Sequence, residues 1–375
     1  MKLLVISSAP VVELDGKLHL YAPYEKEMQL WAKHADTIQF CCPIWKQDRK
    51  LLIAPISFEV NSIVELQEFD ITSLSNKLKA IPFAFVALIK IFKAMRQADH
   101  IHLRCPGNIA LLACLVQILF PNKQKTAKYA GNWDPKSKQP WSYRLQKWVL
   151  SNTFLTRNMQ VLVYGEWEGS SKNIKSFFTA TYSEEEMERL GVVETRRLGE
   201  EIMFLFVGTL SKGKQPLYVI QLVEELYKRG KNVILELYGE GSLRKELELY
   251  ITQNNLESII SLKGNHSRET VLKAYQSSHF LILPSKSEGW PKVVAEAMFW
   301  GCVPIASPVS CVSYMMGNGS RGVILQEELN QDVDQIEAVI SKQEVYQKMA
   351  SEGQTWSRQF TTDKFEAEIK KLLRG

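Results

Sequence analysis

Apolar and polar positions along the chain switch repeatedly between two periods. Short apolar runs of strand length recur, each followed by a longer segment with helical spacing. Lys2–Ile6 reads as a first buried strand, and Val11–Leu14 and Lys17–Tyr21 flank the hairpin dipeptide Asp15–Gly16. Tyr24–His34 carries Met28, Leu30 and Trp31 at helical spacing. Thr37–Cys42 reads as a strand and Ile81–Met95 as a strongly apolar helix. His100–Arg104 is an expected strand that stops at Pro106–Gly107, and Asn108 is placed to cap a helix over Ile109–Phe120. A strand at Thr126–Ala130, a helix at Trp141–Ser151 and a strand at Met159–Tyr164 complete the first half. Such alternation predicts a parallel sheet with helices on both faces.

The pattern breaks in the charged stretch Ser183–Glu201, and a domain boundary is expected near Leu198–Glu201. It then restarts. Strands are expected at Met203–Val207, Val233–Tyr238, Ile259–Lys263, Phe280–Pro284 and Val303–Ala306. Helices are expected between them at Pro216–Lys228, Ser242–Gln253, Glu269–Gln276 and Pro291–Trp300, and the tail Thr355–Leu373 reads as one more. The fold class is therefore α/β, with one domain over 1–198, a second over 199–354 and a terminal helix over 355–375. Two such domains side by side create a cleft, the usual place for a ligand.

Composition narrows the class. The chain has 375 residues, 45% hydrophobic and 23% charged, which is the balance of a folded globular protein. The longest apolar runs, Ala80–Ile89 and Ile109–Phe120, fall short of the ~20 residues a spanning helix needs. The opening MKLLVISSAP lacks the apolar core of ~7–15 residues that a secretion signal carries, so a cytoplasmic protein is expected. Cys41, Cys42, Cys105, Cys114, Cys302 and Cys311 sit mostly inside apolar segments without a CxxC spacing, and read as reduced core residues. No histidine arrangement suits a metal. His100 and His102 share one side of a strand and read as packing. Asp332 and Asp334 read as acids at the start of a helix over Gln335–Lys342 rather than as a metal pair.

Charge is uneven. Residues 101–150 hold eight basic residues against one acid, Asp134. The stretch Lys123–Lys147, interleaved with Tyr129, Trp133, Trp141, Tyr143 and Trp148, is a local basic field suited to an anionic partner or to peripheral contact with an anionic membrane. Single-stranded nucleic acid would use the same features. No RRM, KH or zinc motif accompanies them, so no nucleic-acid partner is expected.

The segment LILPSKSEGWPKVVAEAMFWG, Leu281–Gly301, carries the most chemistry. A strand ends at Pro284, a polar loop holds Glu288–Gly289, Pro291 suits a first helical turn and Gly301 suits a helix stop. A helix N-terminus thus opens at the C-terminal edge of a strand, where free N–H groups and the dipole favour an anion. Glu296 lies eight residues after Glu288, inside that helix. Carboxylates accept hydrogen bonds well from sugar hydroxyls. By spacing alone, two glutamates around a helix start are also compatible with a solvated face.

This segment resembles the E-x7-E motif of the retaining glycosyltransferases of family 4, the glycosyltransferase group 1 family, which have the GT-B fold. Glu288 and Glu296 match the two glutamates, and Ser285, Gly289, Pro291, Ala297, Gly301 and Pro304 match the pattern around them. Three more blocks follow in the family's order: FVGTLSKGKQP (Phe206–Pro216), ELYGEGSLRKELE (Glu236–Glu248) and LKGNHSRETVLKAYQSSHFLILPS (Leu262–Ser285). The resemblance covers roughly 202–310 well and the N-terminal half only in layout. It implies two Rossmann-like domains facing each other across a cleft, with the terminal helix returning to the N-terminal domain. It implies Glu296 on the ribose of a sugar nucleotide, Glu288 on the donor sugar, and the Gly289–Val293 backbone, through Trp290, Pro291 and Lys292, on the distal phosphate. Lys214 matches the lysine that neutralises the departing diphosphate, and Gly208, Gly239 and Asn265 lie in the loops that hold the donor. Thr209 stands where the family has an arginine, with Lys212 and Lys292 as the nearest substitutes. A lysine is a point charge and lacks the bidentate fork of arginine.

The implied reaction keeps the anomeric configuration, with the departing phosphate assisting acceptor deprotonation, and demands no metal or cofactor. The implied acceptor is a surface polysaccharide or a lipid-linked glycan, which would place the protein at the inner face of a membrane. Acceptor residues are sought in the N-terminal loops, with Arg104 for a phosphate and Asn132, Trp133 and Asp134 of AGNWDP for a sugar. A structural turn at Asp134 and an Arg104–carboxylate pair are the competing readings. A non-catalytic sugar-nucleotide-binding protein is the alternative function that Thr209 raises. A GT-B epimerase or phosphorylase is a weaker one.

Overall fold

The structure is a computed structural model, which describes all residues except 48, 50, 70–73, 192–195 and 375, with backbone alone for 74–80 and 190. Part of the expected interdomain stretch Ser183–Glu201 falls outside the described residues. The chain forms two compact units, Met1–Phe177 with Phe365–Gly375, and Phe178–Lys364.

The first unit contains β1 (Lys2–Ser7), β2 (Val11–Leu14), β3 (Lys17–Tyr21), α1 (Ala22–Ala32), β4 (Thr37–Cys42), β5 (Ile44–Trp45), β6 (Ile53–Pro55) and β7 (Ser62–Glu65). It continues with α2 (Leu74–Gln97), β8 (His100–Cys105), α3 (Asn108–Val116), β9 (Gln124–Tyr129), α4 (Trp141–Ser151), β10 (Met159–Tyr164) and β11 (Ile174–Phe177). Seven of these strands make a parallel sheet in the order β11-β10-β9-β8-β1-β4-β7. The hairpin β2–β3 belongs to a small second sheet, β5-β2-β3-β6. Its turn residues Asp15 and Gly16 both have positive φ, as a tight primed turn requires.

The second unit contains α5 (Glu184–Leu190), β12 (Ile202–Val207), α6 (Pro216–Lys228), β13 (Val233–Tyr238), α7 (Arg244–Gln253), β14 (Ile260–Gly264), α8 (Arg268–Ser277) and β15 (Phe280–Leu283). It ends with α9 (Lys292–Phe299), β16 (Val303–Ala306), α10 (Val312–Met315), β17 (Val323–Ile324), α11 (Leu329–Ile340) and α12 (Gln343–Ser357), and α13 (Thr362–Arg374) closes the chain. All six strands are parallel, in the order β14-β13-β12-β15-β16-β17. The central strands β12 and β15 are nearly continuous Ile, Leu, Phe and Val because helices bury both faces. The expected α/β class, with two Rossmann-like sheets, is what the chain adopts.

Several expectations are corrected. The boundary falls at Phe177/Phe178 instead of near residue 198, because Thr181–Tyr182 pack into the second unit through Glu296 and Phe299. The expected cut at 354/355 would split α12, and the tail is two helices rather than one. From Phe365 onward α13 clusters with the first unit. There Lys33 and His34 meet Glu366, and Lys175 meets Glu368. Asn108 caps nothing: its amide donates to the Phe69 carbonyl, and the helix opens on Gly107 without a side-chain cap.

Asp332 is also placed differently. Its helix begins at Leu329, and its buried carboxylate reaches back to the N–H groups of Gln326 and Glu327 and to the Tyr218 hydroxyl, while Asp334 pairs with Arg229. Both aspartates serve structure. His100 and His102 are fully buried and share Thr126 Oγ1 at 2.9 Å each, and burial lowers their pKa values to about 4 and about 3. All six cysteines are buried free thiols.

Candidate functional site

Parallel β-strands leave their C-terminal ends and the following loops on one edge of the sheet, where ligands of open α/β sheets bind. In the second unit that edge is built by close approach of loops. The loop after β12 and the loop after β13 are pinned by Gly208 N–H to Tyr238 O and Leu210 N–H to Glu240 O, both near 3 Å. A Cβ on Gly239 would come 1.9 Å from the Gly208 carbonyl oxygen, and its φ is +140°, so only glycine fits. Gly239 N–H donates in turn to Gly264 O at 2.8 Å, which brings in the loop after β14, where Asn265 is exposed.

The loop after β12 is also tied to the loop after β15. Lys286 N–H donates to Gly213 O at 2.9 Å, and Gln215 Nε2 donates to Pro284 O. Gln215 takes a left-handed backbone just before α6 opens at Pro216. These ties carry Lys214 onto Glu288: Nζ lies 2.5 Å from Oε1, with the lysine part-exposed and the glutamate mostly enclosed. Residues 74 positions apart in sequence thus meet at the mouth of α9. The α9 N-terminus, at Pro291, has no side-chain cap, so its leading N–H groups face the same mouth. Ser310 Oγ donates to Gly289 O at 2.9 Å and fixes that loop from behind.

Glu296 sits one turn further into α9. Its carboxylate accepts from Thr181 Oγ1 at 2.8 Å and from Tyr275 OH at 3.2 Å. Burial pushes its pKa up, against the opposing pull of Thr181, Lys292, Tyr275 and Arg268. Arg268 Nη2 donates to the Thr181 carbonyl and to Glu186, holding the Thr181 segment in place. Thr181 and Tyr275 are site residues that sequence reasoning missed. Thr181 lies before the restart of the strand pattern, and Tyr275 sits inside an ordinary helical stripe, so neither gave a local signal.

The other donor candidates divide by exposure. Gly208, Thr209 and Asn265 lie in the loops at this edge, and Thr209 is exposed. Trp290 is buried and stacks on Trp356 with ring centroids 6.0 Å apart, so at the α9 mouth it can offer backbone and not its indole face. Lys292 and Val293 begin α9.

The acceptor candidates of the first unit behave differently. Arg104 and Lys128 flank Glu27 at 3.2 and 3.0 Å. Burial opposes the charged form of Glu27, but the two cations outweigh it and hold its pKa down at about 2. The expected use of Arg104 on an acceptor phosphate gives way to this internal pair. Trp133 is buried edge-on against Tyr129 instead of open for stacking on a sugar. Asn132 Oδ1 accepts the Asp134 N–H and Asp134 Oδ1 accepts the Lys136 N–H, both at 2.8 Å, the geometry of a turn held by its own side chains. In the expected basic field, Lys125 and Lys128 are interior, at 2% and 1% exposure, as is Tyr129. Among the described residues no three His, Cys, Asp or Glu side chains are grouped to hold a metal ion.

Comparison with known proteins places this geometry. Residues 193–356, all in the second unit, match the family model of the glycosyl transferases group 1. An uncharacterized glycosyltransferase of Methanocaldococcus jannaschii is 25% identical over 198 residues, 50% of this chain and 55% of its own, so the chain spans about half the length of that relative. A Campylobacter jejuni N-acetylgalactosaminyltransferase named for an undecaprenol-linked glycan is 24% identical over 264 residues, 70% of this chain and 68% of its own. Among solved structures, Anabaena HepE in complex with UDP superposes with a TM-score of 0.67 at 15% identity, covering 100% of both chains. The fold is of the GT-B type.

Proposed function

We propose that this protein is a retaining, metal-independent glycosyltransferase that moves a hexose from a nucleoside diphosphate sugar to a hydroxyl of a growing glycan. The observation that carries the reading is the Lys214–Glu288 contact at the uncapped mouth of α9, with Glu296 one turn behind it. In this reading the backbone from Gly289 to Val293, with N–H groups at every position but Pro291, takes the distal phosphate at the mouth of α9, where the helix dipole favours negative charge. Lys214, released from Glu288 when the donor binds, offsets the charge that grows on the departing diphosphate. Glu288 then turns to the donor sugar. Glu296 takes the ribose hydroxyls, exchanging the Thr181 and Tyr275 hydroxyls it holds without donor. Gly208, Thr209, Gly239 and Asn265 line the donor's remaining path.

Within this proposal the acceptor is a surface or lipid-linked glycan, and the lipid-linked substrate named for the Campylobacter relative supports that choice. Six buried thiols suit a reducing compartment and support a cytoplasmic place at the inner face of a membrane. Because the Anabaena neighbour was solved with UDP, uridine diphosphate sugars are the first donors to try.

The test is thermal melting with a panel of nucleoside diphosphates and their sugars, beside Glu296→Ala. A ligand at 100 times its Kd adds about 2.7 kcal/mol of stability. A shift with one base that Glu296→Ala removes supports the donor site and names the base. The anomeric proton of the transferred sugar then reads retention directly, and undiminished turnover in chelator reads metal independence. No shift with any nucleotide favours the non-catalytic alternative, with Thr209 in the arginine position as its cause.

A further inference from the structure

The helix α2 is apolar on more than one face. Its buried stripe is Ala87, Ile91, Ala94 and Met95, while a second set of large apolar side chains points outward. Ile81, Phe85, Ile89 and Phe92 recur at helical spacing along one exposed line, at 61%, 64%, 42% and 39% exposure. The connections β7-α2-β8, β8-α3-β9 and β9-α4-β10 all step the same way across the sheet, so right-handed crossovers put all three helices on one face. Phe92 meets Phe120, just past α3, at 5.2 Å, and the Lys123 amine donates to the carbonyls of Arg96 and Ala98 at the end of α2. The same face adds exposed Leu119 and Trp148, with Phe154 just beyond α4. Solvated apolar side chains on this scale mark an interaction surface.

Charge selects the occupant. From 81 to 160 the sequence has twelve basic residues and two acids, Asp99 and Asp134. Among the described residues, Lys90, Lys93, Arg96, Arg144 and Arg157 form no ion pair with a carboxylate. Lys90 instead donates to the Glu65 carbonyl, and Arg157 lies 4.8 Å over the Phe154 ring. Large apolar side chains rimmed by unpaired cations suit a surface with acyl chains below and negative headgroups above. A protein groove would more commonly meet such cations with carboxylates. No helix among the described residues is long and apolar enough to cross a membrane, so this face would lie on a bilayer and not span it.

We propose that the outer face of α2, α3 and α4 is an interfacial surface that docks the first unit on an anionic lipid bilayer, with Phe85 and Ile89 inserted and Lys93 and Arg96 on the headgroups. This set centres on α2 and shares only Arg144 and Trp148 with the stretch Lys123–Lys147 and its aromatics that sequence suggests, part of which is buried. The inference does not depend on the donor site of the second unit.

The test is sedimentation of the full chain with sucrose-loaded vesicles, either pure phosphatidylcholine or equal parts phosphatidylcholine and phosphatidylglycerol. The protein should pellet with the anionic vesicles and release as salt rises. Phe85→Ser combined with Ile89→Ser should lower vesicle affinity by about tenfold or more, as expected for two lost insertions. Lys93→Glu with Arg96→Glu should remove the preference for phosphatidylglycerol. Leu249→Ser, an equally exposed leucine on α7 of the second unit, should change nothing. Unchanged melting temperatures show that the variants fold, and a retained nucleotide-induced shift keeps a failed donor site separate from a failed docking surface. Equal pelleting of the serine variant, or no pelleting of the parent with either vesicle, overturns the proposal. A concentration-dependent dimer that the serine variant dissolves also overturns it, assigning the face to a second copy of the chain.

Discussion

The C-terminal edges of the two sheets hold similar groups and use them oppositely. In the second unit one cation, Lys214, meets one carboxylate, Glu288, in a part-exposed contact beside an uncapped helix N-terminus. In the first unit two cations, Arg104 and Lys128, enclose one carboxylate, Glu27, with Lys128 interior and Phe365 packed 5.0 Å from its amine. The first arrangement leaves donors and a dipole for an incoming anion. The second consumes its charges in the fold. Position on a sheet edge is therefore not enough to make a site, and what decides is whether the charges are already satisfied and enclosed.

The largest effect expected on this contrast is on activity. Lys214→Ala should lower kcat about 10²–10³-fold, the cost of removing one preorganised charge from a transition state, while leaving the melting temperature within a few degrees. A variant that melts far lower but turns over normally would make Lys214 a structural residue like Arg104.

Glu27→Gln should do the reverse. It removes the carboxylate that Arg104 and Lys128 share and should cost about 3–5 kcal/mol of stability, read by denaturant unfolding. The same pair sets an acid limit. The folded pKa of Glu27, about 2, lies below its ordinary value of 4.5, so its contribution is fully present above that ordinary value. It fades as pH falls toward the folded value, and the Gln variant should show a flatter stability curve over that acid range. An unchanged curve would remove Glu27 from the account.

Smaller effects sharpen the donor side. Burial raises the Glu296 pKa, and only the carboxylate can accept from two ribose hydroxyls. Nucleotide affinity should therefore rise with pH through the Glu296 titration, beginning above the usual carboxylate range, and Glu296→Gln should flatten that limb. Calorimetry across pH checks it, and a flat parent profile would count against the assignment. Tyr275→Phe removes one donor to Glu296, so the acid limb should move to higher pH. Nucleotide affinity near neutrality should change only two- to fivefold, the worth of one hydrogen bond of about 0.5–1 kcal/mol.

Much of the second unit was legible in the chain. Its central strands β12 and β15 are mostly buried and so read as continuous apolar runs, and the helix between Pro291 and Gly301 carries its own start and stop. The first unit was legible in its main strands but not in its short ones, β5, β6, β7 and β11, which have too few residues to show a period. The acceptor candidates came from loops after strands, and burial overruled Arg104 and Trp133 because sequence does not reveal which partner a charged or aromatic side chain will meet. α2 was read as an apolar helix but not as one with a second, outward-facing stripe of large side chains, since periodicity fixes stripes and not which stripe meets the sheet.

By itself the sequence determined the α/β alternation, the two Rossmann-like halves and the local frame of the α9 mouth. These depend on residues near one another in the chain, through strand runs, caps and turn glycines. Only the tertiary structure decided that Lys214 meets Glu288, that Thr181 and Tyr275 hold Glu296, and that Glu27 neutralises Arg104 and Lys128. Each joins elements far apart in sequence, and long-range contacts are set by sheet order, close loop approach and burial, none of which leaves a local period.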